Sequence, residues 1–275
     1  MTDALPGAKD HIAAALALCA KIDDLPADTP LIAISKVGVI GAGTMGNGIA
    51  QACATCGIDV VMVDINQAAV DKGMATISGS LDRLIKKEKL TADQKTAALA
   101  RIKTSTDNSA LVGAQLVIEA ATENEDLKVK ILQHLDTLLP ATTLIASNTS
   151  SISITKLAAA TSRPSQFIGM HFFNPVPMMA LVEIIRGLQT SDATHDAVKA
   201  LAQTLGKTPI TVKNAPGFVV NRILVPMINE AFFVLAEGLA TPEDIDEGMK
   251  LGCNHPIGPL ALADMIGLDV CLAVM

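Results

Sequence analysis

The sequence predicts a doubly wound α/β sheet followed by a small, all-helical second domain. Three features lead to this prediction: apolar strands alternate with helical stretches from Ile34 onward, a glycine-rich turn joins the first strand to the first helix, and strand signals stop after Asn214. Regular alternation favours a mainly parallel sheet with helices on both faces. Ligands of such sheets bind at the carboxyl ends of the strands.

Eight apolar segments are predicted as strands, the third with the weakest signal: 36–40, 58–63, 101–105, 115–119, 143–147, 167–172, 181–185 and 208–212. The segments between them have helical character: 44–56, 66–90, 92–99, 124–138, 154–160 and 192–205. Together they predict a first domain of residues 34–213.

After Asn214 the apolar residues recur at helical spacing. Helices are predicted at 218–237, at 242–250 and from about residue 260. Thr241 with Asp244 three residues on is typical of a helix start. Residues 214–275 are therefore predicted as a second domain. Its strongly apolar composition indicates a face buried against a second copy, that is, a homodimer.

The first predicted strand runs into the motif Gly41-x-Gly43-x-x-Gly46. Gly41 permits a tight turn, Gly43 lets the backbone approach a pyrophosphate, and Gly46 lets the helix pack closely on the strand. The free N–H groups of the first helical residues, Thr44 and Met45, and the positive end of the helix dipole favour a phosphate group there. The motif therefore predicts a Rossmann-type dinucleotide site.

The second predicted strand ends at Asp64, which is 23 residues after Gly41 (64 − 41). An acidic residue at about this distance accepts hydrogen bonds from the adenosine ribose hydroxyls. A carboxylate there repels a 2′-phosphate, and the following Ile65-Asn66-Gln67 supplies no arginine to bind one. The predicted cofactor is NAD.

Composition excludes other classes of function. The chain has 275 residues, of which 50% are hydrophobic and 18% charged, as in a compact enzyme. A net charge of −7 and the absence of Trp and Tyr argue against nucleic acid as a partner, because basic patches and stacking side chains are lacking. No stretch approaches the ~18 continuous apolar residues of a membrane helix. No His, Cys or Asp set has metal-ligand spacing, so no metal is predicted.

The N-terminal extension, residues 1–33, is interpreted as a short alanine-rich helix and a Pro/Asp linker at Leu25–Pro30. Only one basic residue, Lys9, precedes its apolar run, so a secretory signal is not predicted. The five cysteines are scattered and fit a reducing cytoplasm. Cys53-x-x-Cys56 lies on the helix after the glycine turn, where small buried residues are needed, and it is interpreted as packing.

An acid–base pair is predicted beyond the dinucleotide site. His171 lies near the end of one strand, and Glu183 lies twelve residues on (183 − 171), on the next strand. A carboxylate beside an imidazole fixes its tautomer, while the other ring nitrogen exchanges a proton with a substrate hydroxyl. A histidine that bonds a backbone carbonyl, with an unrelated glutamate nearby, fits the spacing equally well. His134, His195 and His255 have no predicted carboxylate partner and are assigned no chemistry.

Five phrases resemble the L-3-hydroxyacyl-CoA dehydrogenase family and, within it, the bacterial members that act on short acyl chains. They are VIGAGTMGNGIAQACATCG (39–57), ASNTSSISI (146–154), GMHFFNPVPMMALVEII (169–185), APGFVVNRILVPMINEA (215–231) and LGCNHPIGPLALADMIGLD (251–269). The resemblance covers residues 34–275 in order and spacing. It implies NAD-dependent, reversible oxidation of a short-chain L-3-hydroxyacyl-CoA, with 3-hydroxybutyryl-CoA and acetoacetyl-CoA as the leading pair.

The resemblance also implies roles for matching residues. His171 is the implied general base and Glu183 its orienting partner. Ser150 and Asn221 are implied to contact the reacting hydroxyl or the histidine, and Asn174 the thioester end of the substrate. The residues implied to contact the ribose and nicotinamide are Glu123, Lys128 and Asn148. Those implied to contact coenzyme A are Ser80 and Lys87. Family members commonly continue beyond the position of Met275, so the second domain is expected to be truncated here.

Simpler roles fit some of these residues. Lys87 fits a solvated lysine, Ser150 fits the cap of the helix near Ile154, and Asn221 fits a bridge between the domains. Two alternatives remain for the whole protein. One is a dehydrogenase of a non-CoA hydroxy acid or sugar acid on the same fold, and the other is a catalytically inactive NAD-binding protein.

Overall fold

The structure, a computed structural model, describes residues 32–275, and the predicted N-terminal helix and linker lie outside the described residues. The described part contains eight strands: β1 Lys36–Ile40, β2 Asp59–Val63, β3 Ile102–Ser105, β4 Leu116–Glu119, β5 Leu144–Ser147, β6 Phe167–Phe172, β7 Leu181–Arg186 and β8 Thr208–Lys213. The α-helices are α1 Thr44–Thr55, α2 Gln67–Lys86, α3 Ala92–Ala100, α4 Glu125–Leu138, α5 Ile154–Ala158, α6 Asp192–Thr204, α7 Val220–Ala236, α8 Pro242–Gly252, α9 Pro259–Ile266 and α10 Leu268–Val274. Each predicted strand is present, with its ends within one residue of the prediction.

The strands form one sheet in the order β3-β2-β1-β4-β5-β6-β7-β8. β1 to β6 are parallel, whereas β7 pairs antiparallel with β6 and β8 pairs parallel with β7. A parallel pair needs a crossover of a dozen or more residues. Residues 173–180 are too few for one, so the chain reverses direction between β6 and β7. The predicted doubly wound sheet is confirmed, with two strands reversed at one edge.

Both faces of the sheet are apolar and are covered by helices. In β4, Leu116 and Ile118 belong to one buried cluster and Val117 to the other. Strands that are buried on both faces are continuously apolar, and β4 reads Leu-Val-Ile before its last residue. This two-sided core holds the carboxyl ends of β1, β4, β5 and β6 in one row, where the predicted site lies.

The long second helix is shorter than predicted. α2 ends at Lys86, and Lys87 occupies its C-cap position. Glu88 then adopts a left-handed conformation (φ 55°), which the helix cannot continue through. The next helix, α3, begins with a capping box between Thr91 and Gln94. The predicted helix 66–90 is therefore wrong over its last turn.

The residues after the sheet are helical, as predicted. The Thr241 side chain accepts a hydrogen bond from the Asp244 N–H and caps α8. α7 packs against α8, α9 and α10 through two small clusters that include Ile228 and Ala231. Gly267, at φ 101°, separates α9 from α10 where one helix was predicted. Among residues 32–275, no helix is both long and apolar enough to span a membrane.

Candidate active site

The glycine-rich turn forms an open cradle at the carboxyl end of β1. Gly41 has φ 96°, and its N–H donates to the Val63 carbonyl at 2.8 Å. A Cβ on Gly46 would lie 1.7 Å from the Gly41 carbonyl oxygen, whereas a Cβ on Gly43 would meet nothing within 4 Å. No side chain caps the N-terminus of α1, and its first turn, with Thr44 and Met45, holds no acidic residue. The helix end therefore presents N–H groups and open space to an anion.

Asp64 directly follows β2 and is fixed beside this cradle. Its Oδ2 accepts the Ala42 N–H at 2.7 Å, and its Oδ1 accepts the Ile65 N–H at 2.7 Å. Each carboxylate oxygen has a second lone pair, so acceptor capacity remains for ribose hydroxyls. Asn66 caps α2 by accepting the Ala69 N–H, so it serves the helix start.

His171 and Glu183 are brought together by the antiparallel pairing of β6 and β7. They are direct partners in the register, and His171 Nδ1 lies 2.7 Å from Glu183 Oε2. Both side chains are buried, Glu183 completely and His171 with 6% of its surface exposed. The second carboxylate oxygen, Oε1, accepts the N–H groups of Val219 and Val220 at 3.0 Å each.

These donors keep Glu183 ionised. Burial opposes ionisation, but the hydrogen bond with His171 and the backbone N–H groups of Val219 and Val220 outweigh burial and hold the pKa of the Glu183 carboxyl below its ordinary value. The rings of Phe173 and Phe218 lie 4.5 Å and 5.8 Å from the imidazole. Because Nδ1 faces the carboxylate, Nε2 is the ring nitrogen left for proton exchange with a ligand.

The loop after β5 is held by Glu123, which lies between β4 and α4. Its Oε1 accepts the Thr149 hydroxyl at 2.5 Å, the Ser150 N–H at 2.8 Å and the Ser150 hydroxyl at 3.2 Å. The N–H and hydroxyl of Ser151 donate to the same oxygen at 3.2 and 3.1 Å. Glu123 keeps 37% of its side chain exposed. Its partial burial opposes ionisation, but the Thr149 bond, the charge of Lys128 and the serine donors lower its pKa.

Lys128 on α4 is buried and makes internal contacts. Its Nζ lies 2.7 Å from Glu119 Oε1 and 3.4 Å from Glu123 Oε2, and it donates to the Ala121 carbonyl at 3.1 Å. Only 1% of the side chain is exposed. In this structure Lys128 therefore supports Glu123, and direct contact with a cofactor stays a prediction.

Two asparagines connect the β5 loop to its neighbours. Asn148 Oδ1 accepts the N–H of Phe172, the residue after His171, at 2.9 Å. Asn221, in the first turn of α7, donates to the Ser150 carbonyl at 3.3 Å, so it does bridge the helical part and the sheet. The cap of α5 is Ser153, whose side chain accepts the Lys156 N–H, and not Ser150.

Three predicted substrate residues lie outside this network. Ser80 is half-buried on α2, Lys87 is exposed at the end of that helix, and Asn174 is exposed in the loop after β6. Among the described residues, none of the three has a side-chain hydrogen bond with the His171–Glu183 pair or the β5 loop. Their roles stay predictions.

Sequence reasoning assigned no role to Glu119, Ser147 or Thr149, and it was wrong that His195 lacks a carboxylate partner. Glu119 is the one charged residue of an apolar strand, and that position was a usable signal. His195 Nδ1 lies 2.7 Å from Asp196 Oδ1, and its Nε2 lies 2.8 Å from Thr211 Oγ1, so it has a carboxylate partner after all. The contact with Thr211 joins α6 to β8. Burial lowers the pKa of His195, which favours its neutral form.

Comparison with known proteins identifies the family. The model of the 3-hydroxyacyl-CoA dehydrogenase NAD-binding domain matches residues 36–215, and that of the C-terminal domain of the same family matches residues 217–275. The chain belongs to the 3-hydroxyacyl-CoA dehydrogenase family. The predicted fold, the NAD cofactor and the oxidoreductase class are thereby confirmed.

Curated relatives and solved structures agree with this family. The chain is 53% identical over 242 residues to a 3-hydroxybutyryl-CoA dehydrogenase of Bradyrhizobium diazoefficiens, covering 88% of this chain and 83% of the relative. It is 50% identical over 240 residues to the enzyme of that name from Clostridioides difficile, covering 87% and 85%. The crystal structure of (S)-3-hydroxybutyryl-CoA dehydrogenase from Ralstonia eutropha matches with 74% identity and a TM-score of 0.86, covering 88% of this chain and 86% of that one.

Proposed function

We propose that this 3-hydroxyacyl-CoA dehydrogenase interconverts short-chain L-3-hydroxyacyl-CoA and 3-oxoacyl-CoA, with 3-hydroxybutyryl-CoA and acetoacetyl-CoA as its main pair. One observation carries the chemistry: a buried His171–Glu183 pair with a 2.7 Å contact near the carboxyl end of β6. The names of the relatives in Bradyrhizobium and Clostridioides support the substrate.

His171 is the proposed general base. In the oxidative direction its Nε2 takes the proton of the 3-hydroxyl group, and the imidazole becomes a cation. The ionised Glu183 stabilises this cation at Nδ1, and in the reverse direction the imidazolium returns the proton. Ser150 and Asn221, which meet at the Ser150 carbonyl, are proposed to orient the reacting hydroxyl or the imidazole.

The cofactor residues fit a dinucleotide. NAD, when bound, supplies the hydride acceptor of the oxidative reaction. The open space at Gly43 and the uncapped α1 N-terminus suit its pyrophosphate, with Gly41 and Gly46 shaping the turn and Asp64 the ribose acceptor. The proposed residues on the nicotinamide side are Glu123, Lys128 and Asn148.

The acyl-CoA contacts are proposed from exposed residues. Asn174 lies in the loop after β6 and is proposed to hold the thioester end. Ser80 and Lys87 are proposed to contact coenzyme A, and the last turn of α2 adds Arg83 and Lys86 as further positive charge. Phosphates of coenzyme A are attracted to such a cluster.

We also propose the domain division 34–213 and 214–275, with a homodimer formed through the second domain. Large apolar side chains are exposed on its helices, including Phe233, Met265 and Leu272. A cytoplasmic location is proposed as well, because the cysteines of the described part, Cys53, Cys56, Cys253 and Cys271, are free thiols.

The function is tested by NADH-dependent reduction of acetoacetyl-CoA, with acetoacetate as the substrate that lacks the pantetheine arm. We expect turnover of the thioester and a loss of about 10²-fold or more in kcat/KM for the free acid, because remote binding energy is lost. Equal turnover of both would point to the non-CoA dehydrogenase. NADH binding without turnover of either would point to the inactive NAD-binding protein.

A further inference from the structure

Glu119, the last residue of β4, is buried at the junction of three loops. Its side chain has no exposed surface. Its Oε1 accepts the Ala121 N–H at 2.7 Å and pairs with Lys128 Nζ at 2.7 Å. Its Oε2 accepts the Ser147 hydroxyl at 2.7 Å, and its backbone carbonyl accepts the Asn148 N–H at 2.8 Å.

These contacts connect the two halves of the site. On one side, the loop that starts at Ala120 packs against the glycine turn, since a Cβ on Gly41 would lie 2.6 Å from the Ala120 carbonyl oxygen. On the other side, Ser147 and Asn148 begin the loop that carries Ser150. Asn148 in turn binds the N–H of Phe172, next to His171.

The charge of Glu119 has a specific consequence for Glu123. The ammonium group of Lys128 lies between the two carboxylates, closer to Glu119 (2.7 Å) than to Glu123 (3.4 Å). A buried cation needs a counter-charge, and Glu119 supplies it fully inside the protein. Glu123 is thereby left free to direct its Oε1 to the hydroxyl and N–H of Ser150.

We infer that Glu119 is a positioning residue for the proposed reaction: by neutralising Lys128 it keeps Glu123 on the Ser150–Ser151 loop and so holds Ser150 in place beside the acid–base pair. The inference rests on the proposed function. The inferred role of Glu119 differs from a purely structural one, because loss of its charge draws Glu123 toward Lys128 and misplaces the loop in a protein that is still folded.

Glu119→Gln tests this inference. With acetoacetyl-CoA and saturating NADH, we expect kcat to fall about 10- to 100-fold, as misplacement by ~1 Å does, with KM for the thioester changed less than about threefold. In the protein without ligands, hydrogen exchange of the Ser150 and Ser151 amides is expected to accelerate, because their acceptor has moved. Wild-type kcat in a folded Glu119→Gln variant overturns the inference.

A double-mutant cycle with Glu123→Gln distinguishes an effect of Glu119 that acts through Glu123 from an unspecific loss of activity. If Glu119 acts through Glu123, the second substitution removes the pathway, and Glu119→Gln then lowers kcat by less than about threefold further. If the losses of kcat in the two single variants instead multiply in the double variant, the inference is contradicted. Arg163→Met is the matched control: Arg163 also makes a network of hydrogen bonds, half-buried in this case, with Asp136 and the Leu139 and Pro140 carbonyls, but on the segment before β6. It is expected to lower Tm with kcat unchanged.

Glu119→Gln leaves a buried lysine with one fewer counter-charge, so folding itself is at risk. The variant Glu119→Gln/Lys128→Met, in which both buried charges are removed, then takes its place and is expected to fold. It holds no cation at position 128 that could draw Glu123 away, so the Ser150 and Ser151 amides are expected to exchange as slowly as in the wild type. Accelerated exchange of these two amides in the folded double variant also overturns the inference. Absence of turnover in the wild type itself contradicts the proposed function instead, so the two failures are distinguishable.

Discussion

At the scale of single residues, the site depends on carboxylates that stay ionised although desolvation opposes it: Glu183 is fully buried, and Glu123 keeps 37% of its side chain exposed. Glu183 and Glu123 each accept several hydrogen bonds, and in both cases these bonds outweigh burial and lower the pKa. Glu183 receives two backbone N–H groups and the imidazole of His171. A carboxylate held in this way is a fixed negative charge, and Glu183 is placed to stabilise a positive charge on the imidazole of His171.

The depressed pKa of Glu183 predicts how stability depends on pH. Its folded-state pKa lies below the ordinary value of 4.5, so its contribution is fully present above about pH 4.5 and is lost as the pH falls through the folded-state pKa. We expect the free energy of unfolding of the wild type to fall more steeply between about pH 5 and pH 3 than that of Glu183→Gln. Urea denaturation at several pH values measures both curves. Parallel curves for the two proteins would contradict the assigned pKa direction.

Part of the site was predictable residue by residue, and part was not. The placement of His171 and Glu183 on adjacent strands follows from the chain itself, because the few residues between β6 and β7 allow only a reversal of direction. The partners of Glu119 were not predictable. Ser147 and Lys128 lie 28 and 9 residues away in sequence, and only the sheet and α4 together bring them to one carboxylate.

At the scale of elements, two glycines of the glycine turn differ in what they are needed for, Gly46 for packing and Gly43 for the proposed cofactor contact. A Cβ at Gly46 would collide with the Gly41 carbonyl oxygen, so that position is needed for packing. The space around Gly43 is open, so this residue is not needed for the fold itself. The sequence motif predicted a role for each glycine, and the space around each Cβ position in the structure distinguishes the two.

Gly43→Ala is therefore expected to fold normally and to bind NADH poorly. The methyl group has space in the free protein, so Tm should change by less than about 3 °C, whereas the Kd for NADH should rise about 100-fold because the pyrophosphate loses its close approach. Gly248→Ala in α8 is the matched control, since a Cβ there also meets nothing within 4 Å. It should leave NADH binding unchanged and stabilise the helix by about 0.5–1 kcal/mol. Calorimetric titration and thermal melts measure these effects, and unchanged NADH affinity in Gly43→Ala would refute the assignment.

Helix ends were the least predictable elements. The predicted 66–90 helix stops at Lys86 because Glu88 takes a left-handed conformation, and nothing in Lys86-Lys87-Glu88-Lys89 signals a stop, since the usual Gly or Asn is absent. In contrast, the starts of α3 and α8 follow from Thr91 and Thr241, whose side chains cap them. A capping side chain is a local signal that can be read in the sequence, whereas the left-handed conformation of Glu88 has no such signal.

At the scale of the whole molecule, the helical part joins the sheet at the His171–Glu183 pair. The N–H groups of Val219 and Val220 bind Glu183, Asn221 binds the Ser150 loop, and Phe218 is buried in the core of the sheet. The other side of this part exposes apolar side chains. A groove of about 240 Å³ between α7 and α10 is lined by residues that include Ile228, Phe232 and Leu272.

The proposed homodimer predicts that a charge in this region separates the subunits. Leu272 is 72% exposed, and Leu272→Asp is expected to shift the protein from dimer to monomer because a carboxylate would be desolvated in the interface. Leu188→Asp is the matched control: Leu188 is 86% exposed but lies between β7 and α6, in the sheet domain. Sedimentation equilibrium measures the mass of each variant against the 28.5 kDa chain. A wild type that is monomeric at micromolar concentration would contradict the proposal.

The most direct measurement is NADH oxidation with acetoacetyl-CoA by the wild type and His171→Gln, together with NADH affinity. Loss of the proposed general acid–base group, His171, is expected to lower kcat by about 10²- to 10⁴-fold. NADH binding should stay within about twofold, because the cofactor cradle at Gly41–Gly46 does not include His171. A His171→Gln variant that retains NADH binding and turns over within about tenfold of the wild type would contradict the central claim that this imidazole carries the proton.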